Sequence, residues 1–533
     1  MIIKKMINYL QEVIKTLYQL VSIDRREAFL FNYFKKKFDS SLTSQKIVLV
    51  QSVEDIYYYG LFGQIISSLR EKDSIRVEQL VPRSLNVGES NSLIIYVKSH
   101  CIGGELLSRK WIKLYKSFCN GIAYRSVSYH PIDDIVDWFR SRSCFKSIDT
   151  KKKLIELVID GVVVGDLVND SYLRFKPAPT VIIKNLYLQI VIWQAYRDIR
   201  RAKKYFARKK PKVYLTSYST YIQHGIAARV ALQFGIKVFS FGNFQEFAKE
   251  LTLTDWVHTK NSDNYLFDFS KMNNKEEKLD FADTALSMRM TGNIDNATAY
   301  MKKSAYTVSD EPVPNVKGSV VIFLHDFYDS PHVYKNMIFP DFWEWICFTI
   351  DTLNKHNISF FIKPHPNQIS LSDSVLADLR QKYNNLKEIP TSITNKQLVE
   401  AGMVCAVTVY GTVAHEMAFL GVPTIACGHH PHISFDICNT AKNESEYADF
   451  LKNCQKIIFD KAKLRRESLA FYYMHNLSMG EDEQNLRKKY LSFRKACEDI
   501  GAKNVDLTNY LKEIANEPGY KKYIEKWQNI LTN

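Results

Sequence analysis

Short apolar runs rich in β-branched residues alternate with longer amphipathic stretches along most of this chain. That rhythm predicts strands alternating with helices, and so parallel sheets. Strands are predicted at 46–51, 93–97, 212–216 and 237–242. Between the last two, an apolar stretch at 221–234 closed by Gly235 reads as a helix, making 212–242 a strand–helix–strand unit. A second series follows a polar break containing Pro312, Pro314 and Gly318. Its strands are predicted at 320–324, 359–363, 405–409 and 423–426, with helices at 341–356 and 413–420. Ahead of the first strand, Ile3, Ile7, Leu10, Ile14, Leu17 and Val21 recur at helical steps beside Lys4, Lys5 and Lys15. The last stretch reads as helical and charged, with Tyr510, Tyr520, Tyr523 and Trp527 along it.

This divides the 533 residues into an amphipathic helical segment (1–44), an α/β domain (45–300), a linker (301–318), a second α/β domain (319–480) and a helical tail (481–533). Two such domains joined by a linker predict a ligand cleft between them.

Composition excludes a mostly disordered chain, because 46% apolar and 24% charged residues are ordinary for a folded protein. No apolar run reaches the roughly 20 residues of a spanning helix; the closest, 404–427, is interrupted by His415 and Glu416. Nine scattered cysteines without a C-x-x-C pair or zinc-finger spacing predict buried thiols in a reducing compartment. Asn8, Gln11, Glu12 and Lys15 break up any signal-peptide core, so a cytoplasmic location is expected. The net charge of +15 invites an anionic partner. Its densest run is Arg197, Arg200, Arg201, Lys203, Lys204, Arg208, Lys209 and Lys210, read as a solvated helix face or as attraction to an anionic membrane surface. Little aromatic interleaving accompanies it, so nucleic acid is not expected.

Candidate chemistry gathers at predicted strand ends, where parallel sheets bind ligands. After the strand at 405–409, Gly411 and Thr412 open a helix. Free N–H groups and the helix dipole there attract an anion, Gly411 lets the backbone approach a phosphate, and the Thr412 hydroxyl is expected to cap the helix. Glu416, about one turn in, is placed to accept hydrogen bonds from vicinal sugar hydroxyls, and Gly421 ends the helix. After the strand at 359–363, Lys363 and His365 sit among Pro364 and Pro366, which stiffen the loop; the segment reads as two donors for phosphate oxygens or as a rigid turn with an incidental histidine. His325, Asp326 and Ser330 follow a third strand end and read either as facing the same cleft or as a polar loop of no function. In the N-terminal half, Asp166 and Asp170 are near neighbours on a helix, read as a general base for an acceptor hydroxyl or as a cap paired with Arg174. Gln223 and His224 either line the opposite wall or are structural.

Taken together, Lys363-Pro-His-Pro366, Gly411-Thr-Val-Ala-His-Glu416 and Gly421-Val-Pro423 resemble bacterial surface-carbohydrate biosynthesis proteins, including capsule polysaccharide transferases of the Kdo-transferase type. The Lys-Pro-His-Pro element also occurs in CDP-glycerol glycerophosphotransferases, and the stretch at 165–174 is similar to an N-terminal motif of the surface-carbohydrate group. The resemblance covers about residues 155–245 and 318–430. It implies a GT-B fold, two Rossmann-like domains facing across a cleft, and a glycosyltransferase moving a sugar from a nucleotide sugar to a growing capsule, O-antigen or lipopolysaccharide glycan. It further implies a donor role for Lys363, His365, Gly411, Thr412 and Glu416, a lipid-linked glycan acceptor, and work at the inner membrane face. Tyr410-Gly-Thr412 stands where polyol-phosphate transferases usually show a Ser-Ser-Asp-like element. A non-hydrolysing UDP-sugar 2-epimerase, a polyol-phosphate transferase and a non-catalytic scaffold of a polysaccharide assembly complex are the alternatives. No cofactor is expected beyond the nucleotide sugar as substrate, and no metal, because a helix start with Lys and His offsets diphosphate charge.

Overall fold

A computed structural model describes residues 21–38, 44–82, 104–126, 130–176, 178–292, 306, 310–365, 371–384, 386–499 and 505–532. The N-terminal amphipathic helix up to residue 20, the strand at 93–97 and Pro366 lie outside these. The chain forms two compact α/β units. One comprises Met1–Pro177, Ile182–His258 and Glu481–Asn533, the other Ala178–Val181 and Thr259–Gly480.

The first unit is built on the strands β1 (Ile47–Gln51), β2 (Arg76–Val81), β3 (Gly121–Arg125), β4 (Val158–Ile159), β5 (Val162–Val163), β6 (Val213–Thr216), β7 (Lys237–Ser240) and β8 (Lys249–Leu251). Six of them make one sheet in the order β3-β2-β1-β6-β7-β8, parallel except for β8, while β4 and β5 pair as a short antiparallel hairpin. This is the doubly wound Rossmann order, with its reversal between β1 and β6. β1 is buried along its whole length, as a strand covered on both faces must be, which is why it reads as an unbroken apolar run. The tail forms the helices Glu481–Glu498, Leu507–Asn516 and Pro518–Thr532. Their apolar faces complete this unit's core: Phe493, Leu511 and Trp527 are fully buried, and the Trp527 ring lies 5.5 Å from that of Phe239.

The second unit has β9 (Val320–Phe323), β10 (Phe360–Lys363), β11 (Cys405–Val407), β12 (Thr424–Ala426) and β13 (Asn439–Thr440), all parallel, in the order β10-β9-β11-β12-β13. The order reverses at β9, so the loops after β9 and β11 diverge and leave a crevice at their carboxyl ends. Gly421 ends the helix Val413–Phe419 with φ +75°, a conformation that favours glycine.

The chain passes between units at 177–178, 181–182, 258–259 and 480–481, and not within 301–318. Residues 259–292 supply the second unit with helices, among them Lys275–Met290, which buries Leu279 and Leu286 in a cluster with Phe471 and Tyr472. Of the expected linker, 310–318 is packed: Val316 is fully buried and the Gly318 carbonyl accepts from Gln455 at 2.9 Å. Its prolines and glycine shape a strap against the sheet, and composition alone does not separate a strap from a tether.

The basic run also divides. On the helix Leu186–Lys209, Arg197 and Arg201 are buried and bind Asp134, and Arg200 binds Asp133 and Asp137, all three acids on the helix Pro131–Ser147. These arginines are neutralised inside the fold and are not offered to a membrane. Lys204, Arg208 and Lys210 remain exposed. The other face of Pro131–Ser147 presents Ile132, Ile135, Val136 and Phe139 to solvent, between 53% and 80% exposed.

Candidate functional site

At the carboxyl ends of β9, β10 and β11 the second unit holds a cavity of about 250 Å³. His325, Lys363, His365, Gly411, Thr412 and Glu416 line it, together with Arg289, Asn395, Thr408 and the rings of Tyr306, Tyr334 and Tyr410. Six residues singled out from three separate sequence segments therefore converge, as the reversal at β9 requires.

The polar floor is a chain of four groups. Glu416 is 3% exposed; its Oε1 accepts from Arg289 at 2.9 Å and its Oε2 from the Asn395 amide at 3.0 Å. The Asn395 carbonyl oxygen lies 3.5 Å from Lys363 Nζ. Asn395 is held by a capping box in which Thr394 and Gln397 satisfy each other's backbone N–H. Lys363 is 5% exposed, and burial pushes its ammonium down to about 8, with Glu416 pulling the other way. Burial also lowers His365, partly offset by Asp326. Two cations thus share one carboxylate, a surplus that suits a diphosphate.

Beside the floor, the His325 ring stacks on Phe342 with centroids 4.8 Å apart and leans on Tyr410 at 4.7 Å. Its Nε2 lies 3.1 Å from the Thr408 hydroxyl, which accepts the Gly411 N–H at 3.3 Å. Burial holds His325 neutral, down to about 3. A Cβ at residue 411 would come within 2.8 Å of that hydroxyl, so Gly411 is also required for the close approach of the β11 loop.

Other placements differ from the sequence reading. Thr412 makes no side-chain cap: its own backbone is helical (φ −61°, ψ −15°), which turns the hydroxyl away from the N–H groups a cap must reach. Asp326 and Ser330 do not line the cavity. Asp326 accepts from the Tyr328 N–H and the Ser372 hydroxyl, and Ser330 is 3% exposed with its carbonyl taking the Tyr410 hydroxyl. They brace the loop after β9.

In the first unit, Asp166 pairs with Arg229. Both its oxygens meet the guanidinium, one at 2.7 Å, and Arg229 also donates to the Val163 carbonyl at 2.8 Å. Gly165 begins this helix because a Cβ there would strike the carbonyl oxygens of Leu154 and Ile155. Asp170 is 2% exposed, with the Asn169 amide 3.3 Å away. His224 is buried with Nδ1 2.9 Å from the Gln51 amide and Nε2 3.0 Å from that of Gln223, and burial lowers it to about 4. Gln51 in turn takes the Thr216 hydroxyl at 2.8 Å. This network ties β1 to β6. Because Asp166 pairs with the buried Arg229, Asp166→Asn is expected to cost about 1.5–3 kcal/mol of stability, the range for a hydrogen bond to a charged group. Urea unfolding checks this; no change in midpoint contradicts the ion-pair role.

Arg289 and Asn395 escape the sequence reading. Arg289 lies 127 residues from its partner Glu416, upstream of the apparent domain break, and Asn395 reads as part of a helix start.

No family model matches the chain, and no curated protein matches it. Solved structures do, at low identity. Thermosulfurimonas dismutans KpsC, a β-Kdo 2,4 transferase, is 12% identical over 49% of this chain and 79% of its own, with a TM-score of 0.30. The Methanocaldococcus jannaschii UDP-GlcNAc 2-epimerase in complex with UDP-GlcNAc and UDP is 11% identical, covering 79% of this chain and 98% of its own, with a TM-score of 0.25. Anabaena Alr3699/HepE in complex with UDP and glucose is 9% identical, over 81% and 95%, with a TM-score of 0.26.

Proposed function

We propose that the cavity of the second unit holds the diphosphate and sugar of a nucleotide-sugar donor, and that the chain is a glycosyltransferase extending a bacterial surface polysaccharide. The observation that carries this is the convergence of Lys363, His365, Arg289 and Glu416 where the strand order reverses. Lys363 and His365 hold phosphate oxygens, and the surplus cation attracts them. Glu416, fixed by Arg289 and Asn395, keeps lone pairs for sugar hydroxyls. The tyrosine rings offer faces for a base. The Lys-Pro-His-Pro and Gly-Thr…Glu elements, resembling surface-carbohydrate transferases, support the choice of reaction.

A melting-temperature panel of UDP-, CMP-, GDP- and CDP-linked sugars tests this. One nucleotide class should raise the midpoint, by mass action on the folded state. A panel that leaves the midpoint unmoved overturns the reading. Epimer formed from UDP-GlcNAc without acceptor would favour the epimerase alternative.

The acceptor in this reading is a lipid-linked glycan at an anionic membrane. The apolar ridge Ile132, Ile135, Val136 and Phe139 supports it, with exposed Arg142, Lys146, Lys152 and Lys153 following in the chain. Among the described residues no helix is long and apolar enough to cross a membrane. Co-sedimentation with anionic vesicles should fall as salt rises and fall further in Phe139→Ser. Binding that neither salt nor this substitution changes removes the ridge from the account.

A further inference from the structure

The loop leaving β12 and returning to β13 brings together three side chains that the cavity does not use. A ring nitrogen of His430, a ring nitrogen of His432 and the Cys438 sulfur all lie within 4.8 Å of one another. The histidines are 1% and 0% exposed, and their rings stack with centroids 3.8 Å apart. Buried ring nitrogens are ordinarily hydrogen-bonded. His430 has its Nε2 2.6 Å from the Thr440 hydroxyl, while its Nδ1 has no hydrogen-bond partner. Among the described residues His432 has none at either nitrogen. Two stacked imidazoles left this way forfeit the solvation that burial removed, and a cation accepting their lone pairs restores it.

We propose that His430 Nδ1, a ring nitrogen of His432 and Cys438 Sγ form a Zn²⁺ site. Two imidazoles and a thiolate are a donor set of the softness Zn²⁺ takes. Binding forms two Zn–N bonds and one Zn–S bond, releases the thiol proton to solvent and leaves the fourth position to water. Zinc bond lengths of about 2.0–2.3 Å set ligand atoms roughly 3.3–3.7 Å apart, so side-chain rotation closes the present spacing. With Nδ1 on the ion, His430 carries its proton on Nε2 and donates it to the Thr440 hydroxyl, the usual outer partner of a ligating histidine.

The ion's place is apart from the donor cavity. None of the three residues lines the cavity. His432 packs on the Phe471 ring at 5.5 Å, and His415, on the helix that carries Glu416, packs on the same ring at 5.1 Å. The ion therefore braces the loop behind that helix. The spacing 430, 432, 438 is no zinc-finger pattern; the loop that crosses from the carboxyl end of β12 back to the amino end of its parallel neighbour β13 folds the three side chains together.

The test uses the full chain without a polyhistidine tag, stripped with a chelator and titrated with Co²⁺. A thiolate-to-cobalt charge-transfer band and tetrahedral visible bands are expected, displaced by Zn²⁺ and lost in Cys438→Ser, with Cys454→Ser unchanged. Zn²⁺ should raise the melting temperature of the stripped wild-type protein and not that of Cys438→Ser. Absence of the thiolate band in the wild-type chain overturns the proposal without reliance on any variant's folding, and so does a band that survives Cys438→Ser. Neither result bears on nucleotide-sugar binding.

Discussion

Glu416→Ala should destabilise the protein by about 3–5 kcal/mol, the cost of removing one partner from a buried ion pair. The Arg289 and Glu416 side chains are 5% and 4% exposed and meet at 2.9 Å. Deleting the carboxylate strands a buried guanidinium and removes the acceptor of the Asn395 amide. A reading of Glu416 as a free ligand group, which sequence alone favours, expects lost donor binding in an intact fold; the geometry expects both losses. Glu416→Gln, which keeps an acceptor for Asn395, should cost less. Pairing Glu416→Ala with Arg289→Met should recover part of the loss, because the stranded charge is gone. Urea unfolding of the four proteins measures this. A loss under about 1 kcal/mol in Glu416→Ala would mean the pair is not buried in solution.

Lys363→Met should act in the opposite sense on stability. Losing a charged hydrogen bond to a ligand costs about 1.5–3 kcal/mol, so donor binding should weaken roughly ten- to over a hundredfold. Stability at neutral pH should nevertheless hold or rise, since burial penalises the ammonium in the folded state. The sign follows from the shift, from 10.5 down to about 8. Between these values the unfolded chain binds the proton and the folded chain does not. This group therefore makes wild-type stability increase with pH across that window, and the methionine variant lacks the increase. Donor affinity of the wild type should fall as pH climbs through about 8 and the ammonium discharges. Calorimetric titration on both sides of that pH, with unfolding curves at the same points, checks both. Equal affinities in wild type and variant would remove Lys363 from the phosphate site.

The strands that sequence reveals are those buried on both faces, such as β1, β6, β7 and β9, because such strands must be continuously apolar. β2 is hidden by Glu78 and Gln79 in mid-strand, both buried and satisfied by Tyr205 at 3.0 Å and Ser52 at 2.8 Å. Local pattern cannot report a polar partner 127 residues away, and this conceals Tyr205 as a partner of Glu78. The same limit applies at the site. Lys363, His365 and Glu416 announce themselves beside strand ends, whereas Arg289 comes from a helix whose neighbours only the fold supplies. The Thr412 cap fails for a subtler reason: a Gly-Thr pair before a helix does not say which residue first adopts helical angles.

The central claim is that the second unit's cavity binds the nucleotide-sugar donor. A crystal structure of the full chain with the nucleotide sugar selected by the melting panel tests it most directly. The account predicts phosphate oxygens within hydrogen-bond distance of Lys363 Nζ and the His365 ring, and sugar hydroxyls against Glu416. A nucleotide sugar bound elsewhere, with this cavity holding only water, would contradict it.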